Sequence, residues 1–283
     1  SKSNIFFIQF IESVLIIIYR SIFHLIDYCF NISTLKTRFI YQFPFIPVLT
    51  PFIKKKSFIL IIHHLDFGTK SLKSNICEYY GSLALKFYPK DIKIVVVSEV
   101  WKNFMIKKGF KNSTIIRNSF PKELSEKIIL KFKSKEIFDY SGIKTIYLGG
   151  ASSSKGWLDS APIVRKYFKD AYIWISSENN FEFNDKEKYF LNRYKIKLKV
   201  LTSYSDYLHN LSISQCSIFN SNFKEGWNRT LVEAAVISKG IVFSKEIGGM
   251  IDVSKIFSYI KTFKNKEELN MKLKSLSQKN EVD

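Results

Sequence analysis

Apolar runs with the length of β-strands alternate with helical stretches along the chain, and this alternation restricts the fold more than any other feature. The predicted strands are Ile5–Gln9, Arg38–Gln42, Phe58–His63, Ile92–Ser98, Ser113–Asn118, Thr145–Leu148, Ala171–Ser176, Lys197–Leu201, Ser217–Asn220, Ile241–Ser244 and Ser258–Lys261. The predicted helices lie at 11–28, 71–87, 99–109, 157–168, 184–194, 205–213, 229–239 and 266–279. This pattern predicts an α/β protein whose parallel sheets are covered by helices on both faces.

A polar, lysine-rich stretch at residues 131–142 divides the alternation into two halves. At about 150 residues per domain, the 283 residues fit two domains. We predict a compact N-terminal domain at 1–132, a linker at 133–142 and a C-terminal domain at 143–283. Two such domains usually bind a ligand in the cleft between them, at the carboxyl ends of the strands.

The segment 5–30 is very apolar, but its four charged or ionisable residues prevent an unbroken membrane-spanning run. Glu12, Arg20, His24 and Asp27 fall on one side of a helical projection, so the segment predicts an amphipathic helix with a broad apolar face. Two interpretations stay open. The helix could pack in the core of the first domain, or it could lie in the interface of a membrane.

The net charge of +19 indicates an anionic surface as a partner more than a nucleic acid. Lysine outnumbers arginine 38 to 6, whereas proteins that read phosphates or bases favour the bidentate arginine fork. Residues 1–140 carry 22 basic and 10 acidic side chains, or +12, so an acidic lipid surface would meet this half. The three cysteines are far apart, which excludes a disulfide scaffold and a cysteine-rich zinc site.

The stretch from Ser217 to Ala235 combines a strand, a loop and a helix, with Glu225 and Gly226 on the loop and Glu233 in the helix. A helix N-terminus presents unpaired N–H groups and the positive end of the helix dipole, so it can bind a diphosphate. Two carboxylates on either side of such a turn could accept hydrogen bonds from the hydroxyls of a sugar nucleotide. Gly226 allows a close approach of the backbone.

This stretch resembles the signature of the retaining GT-B glycosyltransferases, of the type called glycosyl transferases group 1 or family 4. The resemblance rests on Glu-Gly-Trp-Asn-Arg-Thr-Leu-Val-Glu-Ala at 225–234, and other segments follow in the order of that family. They are Val96–Asn103, Ile115–Phe120, Tyr147–Gly156, Ser205–Ser214 and Gly240–Gly249. The resemblance implies a GT-B fold, in which two Rossmann-like α/β/α domains face each other across a cleft.

The resemblance also implies roles for the donor-binding residues. Glu233 would bind the ribose hydroxyls, and Glu225 would contact the hydroxyls of the donor sugar. Lys155 would pair with the diphosphate, next to the glycine turn of Gly149 and Gly150. The N–H groups of Asn228, Arg229 and Thr230 would bind the same diphosphate from the helix end, with Gly226 beside them.

His63 and His64 end a predicted strand, and the resemblance implies that one of them reaches the donor sugar or the transferring centre. His64 is slightly preferred, because the side chain of His63 could point back to the sheet. The sequence departs from the family at Gly150, where an arginine often partners the lysine on the phosphates. We hypothesise that Arg229 supplies this missing positive charge.

The resemblance implies transfer of a hexosyl or N-acetylhexosaminyl group from a nucleotide-diphosphate sugar to an acceptor hydroxyl, with retention of the anomeric configuration. We expect no cofactor and no metal, since no Asp-x-Asp motif is present. A UDP-sugar is favoured over a GDP-sugar, although no residue pattern separates the two. The acceptor would be a bacterial polysaccharide or lipid-linked glycan, and the protein would be cytoplasmic, with peripheral membrane contact left open.

Three other functions stay open on the sequence. The chain could be a non-catalytic partner subunit of a glycosyltransferase complex, because the first domain is compact and the arginine is missing. It could be an inverting GT-B transferase. A nucleic-acid-binding protein is disfavoured by the scarcity of arginine.

Overall fold

The computed structural model describes residues 39–42, 58–63, 90–118, 146–176 and 182–279, together with positions 11, 15, 18, 19, 79, 83, 85, 86, 88, 122 and 126. The chain divides into two compact units. The first unit comprises Ser1–Asn118 and Phe223–Trp227, and the second comprises Ser119–Asn222 and Asn228–Asp283. The predicted linker and the predicted strand Ile5–Gln9 lie outside the described residues.

The first unit contains a parallel sheet in the order β1-β2-β3-β4. Its strands are β1 (Phe39–Gln42), β2 (Phe58–Ile62), β3 (Lys93–Val96) and β4 (Ser113–Ile115). Helix α1 (Glu99–Lys107) connects β3 to β4. Ser98 caps this helix by accepting from the N–H of Trp101, and the buried side chains of Trp101 and Met105 lie one turn apart on its inner face.

The second unit contains a parallel sheet of six strands in the order β10-β9-β8-β5-β6-β7. The strands are β5 (Ile146–Gly150), β6 (Ala171–Ser176), β7 (Lys197–Leu201), β8 (Cys216–Phe219), β9 (Ile241–Lys245) and β10 (Lys261–Phe263). Counted from β5, this is the order 3-2-1-4-5-6 of a Rossmann sheet. The order reverses between β5 and β8, where Ile146 pairs with Cys216. A ligand is expected at this switch point, outside the carboxyl ends of the strands.

Five helices connect these strands, and a sixth follows β10. They are α2 (Trp157–Tyr167), α3 (Asp185–Arg193), α4 (Tyr204–Ser212), α5 (Arg229–Ile237), α6 (Met250–Ile256) and α7 (Lys266–Lys279). The core between sheet and helices is apolar and includes Trp157, Ile173, Ile218 and Phe263. The predicted α/β class with parallel sheets is confirmed.

The predicted strand Ser258–Lys261 was wrong, because the chain forms a turn there and the strand begins at Lys261. The N–H of Ile260 donates to the carbonyl of Phe257 at 3.0 Å, which closes this turn. Helix α6 was not predicted. It has only seven residues, so its apolar period covers barely two turns.

Four described positions of the predicted helix 11–28 are helical, and their side chains are exposed: Ile11, Leu15, Ile18 and Tyr19. Their spacing places them on one face of a helix. Within the described part of the chain, no helix has both the length and the apolar character that crossing a bilayer requires.

Candidate functional site

The carboxyl end of β5 leads into a short turn that presents Lys155. Gly149 and Gly150 end the strand, and Ser153–Lys155 form one turn of 3₁₀-helix before α2 begins. The loop after β8 is tied to this turn, because the N–H of Asn222 donates to the carbonyl of Ser154 at 2.9 Å. Lys155, which is half-buried, therefore lies in a turn between β5 and α2 that the loop after β8 holds in place.

Residue 156 must be a glycine, because any side chain at this position of the turn would clash. Its φ of 78° is left-handed, and a Cβ atom would lie 1.7 Å from the carbonyl oxygen of Asn220. The buried amide of Asn220 donates to the hydroxyl of Ser160 at 3.1 Å, inside α2. Asn220 thus fixes the start of α2 to the end of β8.

The N-terminus of α5 is capped by a buried asparagine. The side chain of Asn228 accepts from the N–H of Leu231 at 2.8 Å. This cap does not use the N–H groups of Asn228, Arg229 and Thr230, and the first turn of the helix carries no carboxylate. An anion would be stabilised at such an end.

Glu233 lies one turn into α5 and is only 1% exposed. Its Oε1 accepts from the hydroxyl of Tyr204 at 2.8 Å and is 3.2 Å from Nε of Arg229. Burial raises the pKa of the Glu233 carboxyl and dominates, while Tyr204, Tyr207 and the charge of Arg229 lower it. The structure thus brings together Glu233 and Arg229, two of the predicted donor-binding residues.

Aromatic side chains surround Glu233. Tyr204 and Tyr207 are stacked with ring centroids 5.9 Å apart, and Tyr207 lies 5.0 Å from the ring of Trp174. The indole N–H of Trp174 donates to the hydroxyl of Tyr147 on β5. The buried hydroxyl of Tyr207 has no hydrogen-bond partner among the described residues.

The loop that carries Glu225, Gly226 and Trp227 groups with the first unit. Gly226 lies against the end of β2, where a Cβ atom at residue 226 would be 1.4 Å from the carbonyl oxygen of His63. Glu225 is buried at 7% exposure, and the guanidinium of Arg117 lies 5.3 Å from the ring of Trp227. His63 is half-buried, and His64 lies outside the described residues.

Three residues of the second unit were missed by the sequence analysis. Tyr204 contacts Glu233, Asn220 supports the Lys155 turn, and the ammonium of Lys245 donates to the carbonyl of Ser221 at 3.3 Å beyond β8. Burial lowers the pKa of Lys245. No local motif marks these positions. The parallel strands alone suggest that Asn220 and Lys245, which end neighbouring strands, lie at the same edge of the sheet.

Among the residues that the structure describes, no group of three or more His, Cys, Asp and Glu side chains is arranged to hold a metal ion.

No protein-family profile and no curated protein sequence matches the chain, whereas solved structures do. Sucrose-phosphate synthase from Thermosynechococcus elongatus aligns with a TM-score of 0.57 at 10% identity, over 79% of this chain and 59% of that protein. HepE from Anabaena, in complex with UDP and glucose, aligns with a TM-score of 0.54 at 13% identity, over 79% of this chain and 66% of that protein.

OtsA covers more of the chain: it aligns with a TM-score of 0.59 at 11% identity, over 94% of this chain and 71% of OtsA. The chain spans less than two thirds of the length of sucrose-phosphate synthase and of HepE. These structures share the GT-B arrangement of Rossmann-like units that the sequence resemblance implied. The chain therefore has the fold of the GT-B glycosyltransferases.

Proposed function

We propose that this chain is a retaining glycosyltransferase that moves a hexosyl or N-acetylhexosaminyl group from a UDP-sugar to an acceptor hydroxyl. The observation that carries the proposal is the buried Glu233, one turn inside the capped N-terminus of α5 at the switch point of a Rossmann sheet. A buried carboxylate accepts hydrogen bonds from hydroxyls, and the helix end before it attracts phosphate. The two features suit the ribose and the diphosphate of one nucleotide.

Each donor group has a counterpart among the residues. Lys155 and the N–H groups of Asn228 to Thr230 neutralise the diphosphate, and they act more strongly as negative charge develops on the leaving phosphate. Glu233 accepts from the ribose hydroxyls. Glu225 accepts from the hydroxyls of the donor sugar, which it binds from the buried loop before α5.

The proposed reaction is a front-face displacement without an enzymic nucleophile. The bond between the anomeric carbon and the phosphate oxygen breaks, the bond to the acceptor oxygen forms on the same face, and the acceptor proton moves to the leaving phosphate. The reaction needs neither a metal nor another cofactor, so EDTA should leave the rate unchanged. One of the histidines, His63 or His64, would contact the sugar at this centre.

A uridine donor is supported by the fold neighbours. HepE has been solved in complex with UDP and in complex with UDP-glucose. We therefore propose UDP-sugars over GDP-sugars as donors. A thermal-shift panel of nucleoside diphosphates and their sugars tests this choice, because a ligand that binds the folded state raises its stability with concentration.

The expected result is a rise in melting temperature with UDP and UDP-sugars that is lost in Glu233→Ala, each protein being compared with its own ligand-free form. A larger rise in melting temperature with GDP than with UDP would show that the base of the donor is guanine and not uracil. No rise with any nucleotide would contradict the proposed site.

We propose a polysaccharide or lipid-linked glycan as the acceptor, at the cytoplasmic face of a bacterial membrane. The +12 charge of residues 1–140 suits an anionic lipid surface, and Leu15 and Ile18 are exposed on a helical face that could enter the headgroup region. The chain should therefore sediment with phosphatidylglycerol vesicles and not with phosphatidylcholine vesicles.

A double variant, Leu15→Asp with Ile18→Asp, should lose this binding. Met271→Asp is the control, because Met271 is an exposed apolar residue of α7 in the second unit. Equal sedimentation of both variants would contradict membrane contact through the N-terminal helix.

A further inference from the structure

Tyr204 is the first residue of α4, and its hydroxyl donates to Oε1 of Glu233 at 2.8 Å. Nε of Arg229 approaches the same oxygen at 3.2 Å. A hydrogen bond from one helix and an ion pair within the other therefore converge on one atom of a buried carboxylate. Such convergence restrains the orientation of the carboxylate, because hydrogen bonds to a charged acceptor are short and strong.

We propose that Tyr204 is a positioning residue for Glu233: its hydroxyl holds the carboxylate turned so that the second oxygen, Oε2, receives the ligand. The identity of that ligand, a ribose hydroxyl, rests on the proposed function. The link between Tyr204 and Glu233 does not, because it is a property of the ligand-free protein.

The phenol of Tyr207 is a second group beside the carboxylate. Tyr207 is 6% exposed, and its pKa is raised by burial first and then by Tyr147 and Glu233. Tyr207 in turn lowers the pKa of the Glu233 carboxyl, after Tyr204. A ligand hydroxyl bound at Oε2 would therefore meet a carboxylate that α4 contacts with two phenols.

Tyr204 is itself well fixed. The preceding residue, Ser203, caps α4 by accepting from the N–H of Asp206 at 3.1 Å, and the ring of Tyr204 stacks on Tyr207. Burial raises the pKa of the Tyr204 phenol, and the bond to Glu233 raises it further, so the group stays a donor at every working pH. The residue is still 39% exposed, which leaves it accessible to a bound nucleotide.

The charge state of Glu233 depends on few groups. Tyr204 and Tyr207 face it from α4, Arg229 from its own helix, and Tyr147 interacts with it from β5. Burial favours the neutral acid, and Tyr204, Tyr207 and Arg229 oppose it. Removal of the Tyr204 hydroxyl should therefore raise the pKa of the Glu233 carboxyl further and reduce its ability to accept two hydroxyls.

The test is a carbon NMR titration of the free protein labelled at the side-chain carboxyl of glutamate. The Glu233 signal is assigned by its absence in Glu233→Gln. Tyr204→Phe should raise the pKa of Glu233, whereas Tyr167→Phe should not, although it also removes a phenol hydrogen bond, to Asn270 at 3.1 Å. An unchanged pKa of Glu233 in Tyr204→Phe would overturn the proposal.

Isothermal titration calorimetry then measures the affinity of each protein for UDP-glucose. This donor is a diphosphate diester and stays fully ionised over the range, so its own titration does not interfere. Tyr204→Phe should bind it about tenfold more weakly than the parent. As the pH is lowered, the affinity of Tyr204→Phe should begin to decrease at a higher pH than the affinity of the parent does. Equal or tighter binding would contradict the positioning role of Tyr204.

The two failures are distinguishable. If the parent protein binds no UDP-sugar, the proposed function fails, yet the NMR titration still decides whether Tyr204 controls Glu233. If the parent binds and the titration is unchanged, only the role of Tyr204 fails.

Discussion

The backbone of Gly226 lies against the carbonyl group of His63, so closely that a Cβ atom at residue 226 would be 1.4 Å from that oxygen and 2.8 Å from Cγ2 of Val97. The loop that carries Glu225 therefore lies against the backbone that follows β2 and the side chain that follows β3. This packing admits only glycine at residue 226.

Gly226→Ala should destabilise the protein, because the backbone must move to relieve the overlap. Overpacking of this kind costs about 1–3 kcal/mol. Denaturant unfolding measures the loss. Gly150→Ala is the control, since its added Cβ would lie 4.0 Å from the ring of Trp174, an ordinary contact. Equal stability of the two variants would contradict the close packing at residue 226.

Lys155→Met should weaken the binding of UDP and leave the binding of uridine unchanged, because only UDP carries the diphosphate that Lys155 is proposed to contact. Loss of a charged hydrogen bond corresponds to about tenfold or more in affinity. Calorimetry with both ligands measures the difference. Lys186→Met makes the same charge change at an exposed residue of α3 and should leave both affinities intact.

Arg229→Ala distinguishes two roles of Arg229. If it replaces the arginine that the family carries at the position of Gly150, UDP binding should fall by more than uridine binding. If Arg229 acts only through its contact with Glu233, the two ligands should lose affinity by the same factor. We expect the larger loss with UDP, and a ratio of one would contradict the phosphate role.

Glu233→Gln should gain stability relative to the parent as the pH rises. Burial raises the pKa of the Glu233 carboxyl above its unfolded value, so the folded state binds more protons between these two values. The stability contributed by this group is present below the unfolded pKa and is lost as the pH rises through the folded pKa. Glutamine does not titrate. Urea unfolding of both proteins from acid to neutral pH measures the difference, which should grow in favour of Glu233→Gln across the window.

The alternation of apolar runs was sufficient to predict five of the six strands of the second sheet. Ser98, Asn184, Ser203 and Asn228 accept from the backbone at the starts of four helices, as their sequence positions suggest. The turn at Ser258–Ile260 was misassigned, because its apolar and aromatic residues have the composition of a strand.

The site could be predicted only where a motif is local. Glu225, Gly226 and Glu233 lie within nine residues of each other, and Lys155 directly follows a glycine turn and a serine run. Tyr204 lies 29 residues before Glu233, and its contact depends on how α4 packs against α5. Asn220 donates to Ser160, 60 residues earlier in the chain, and this contact depends on how β8 packs beside α2. Such contacts follow from tertiary packing, and no spacing in the sequence encodes them.

The anomeric configuration of the sugar released from a UDP-sugar tests the central claim most directly. Proton NMR can follow the cleavage of UDP-glucose or UDP-N-acetylglucosamine in the presence of EDTA, before the free sugar mutarotates. A retaining, metal-independent transferase should release the α-anomer first, and Glu233→Ala should abolish this release. Initial formation of the β-anomer, or binding of the donor without any cleavage, would contradict the account.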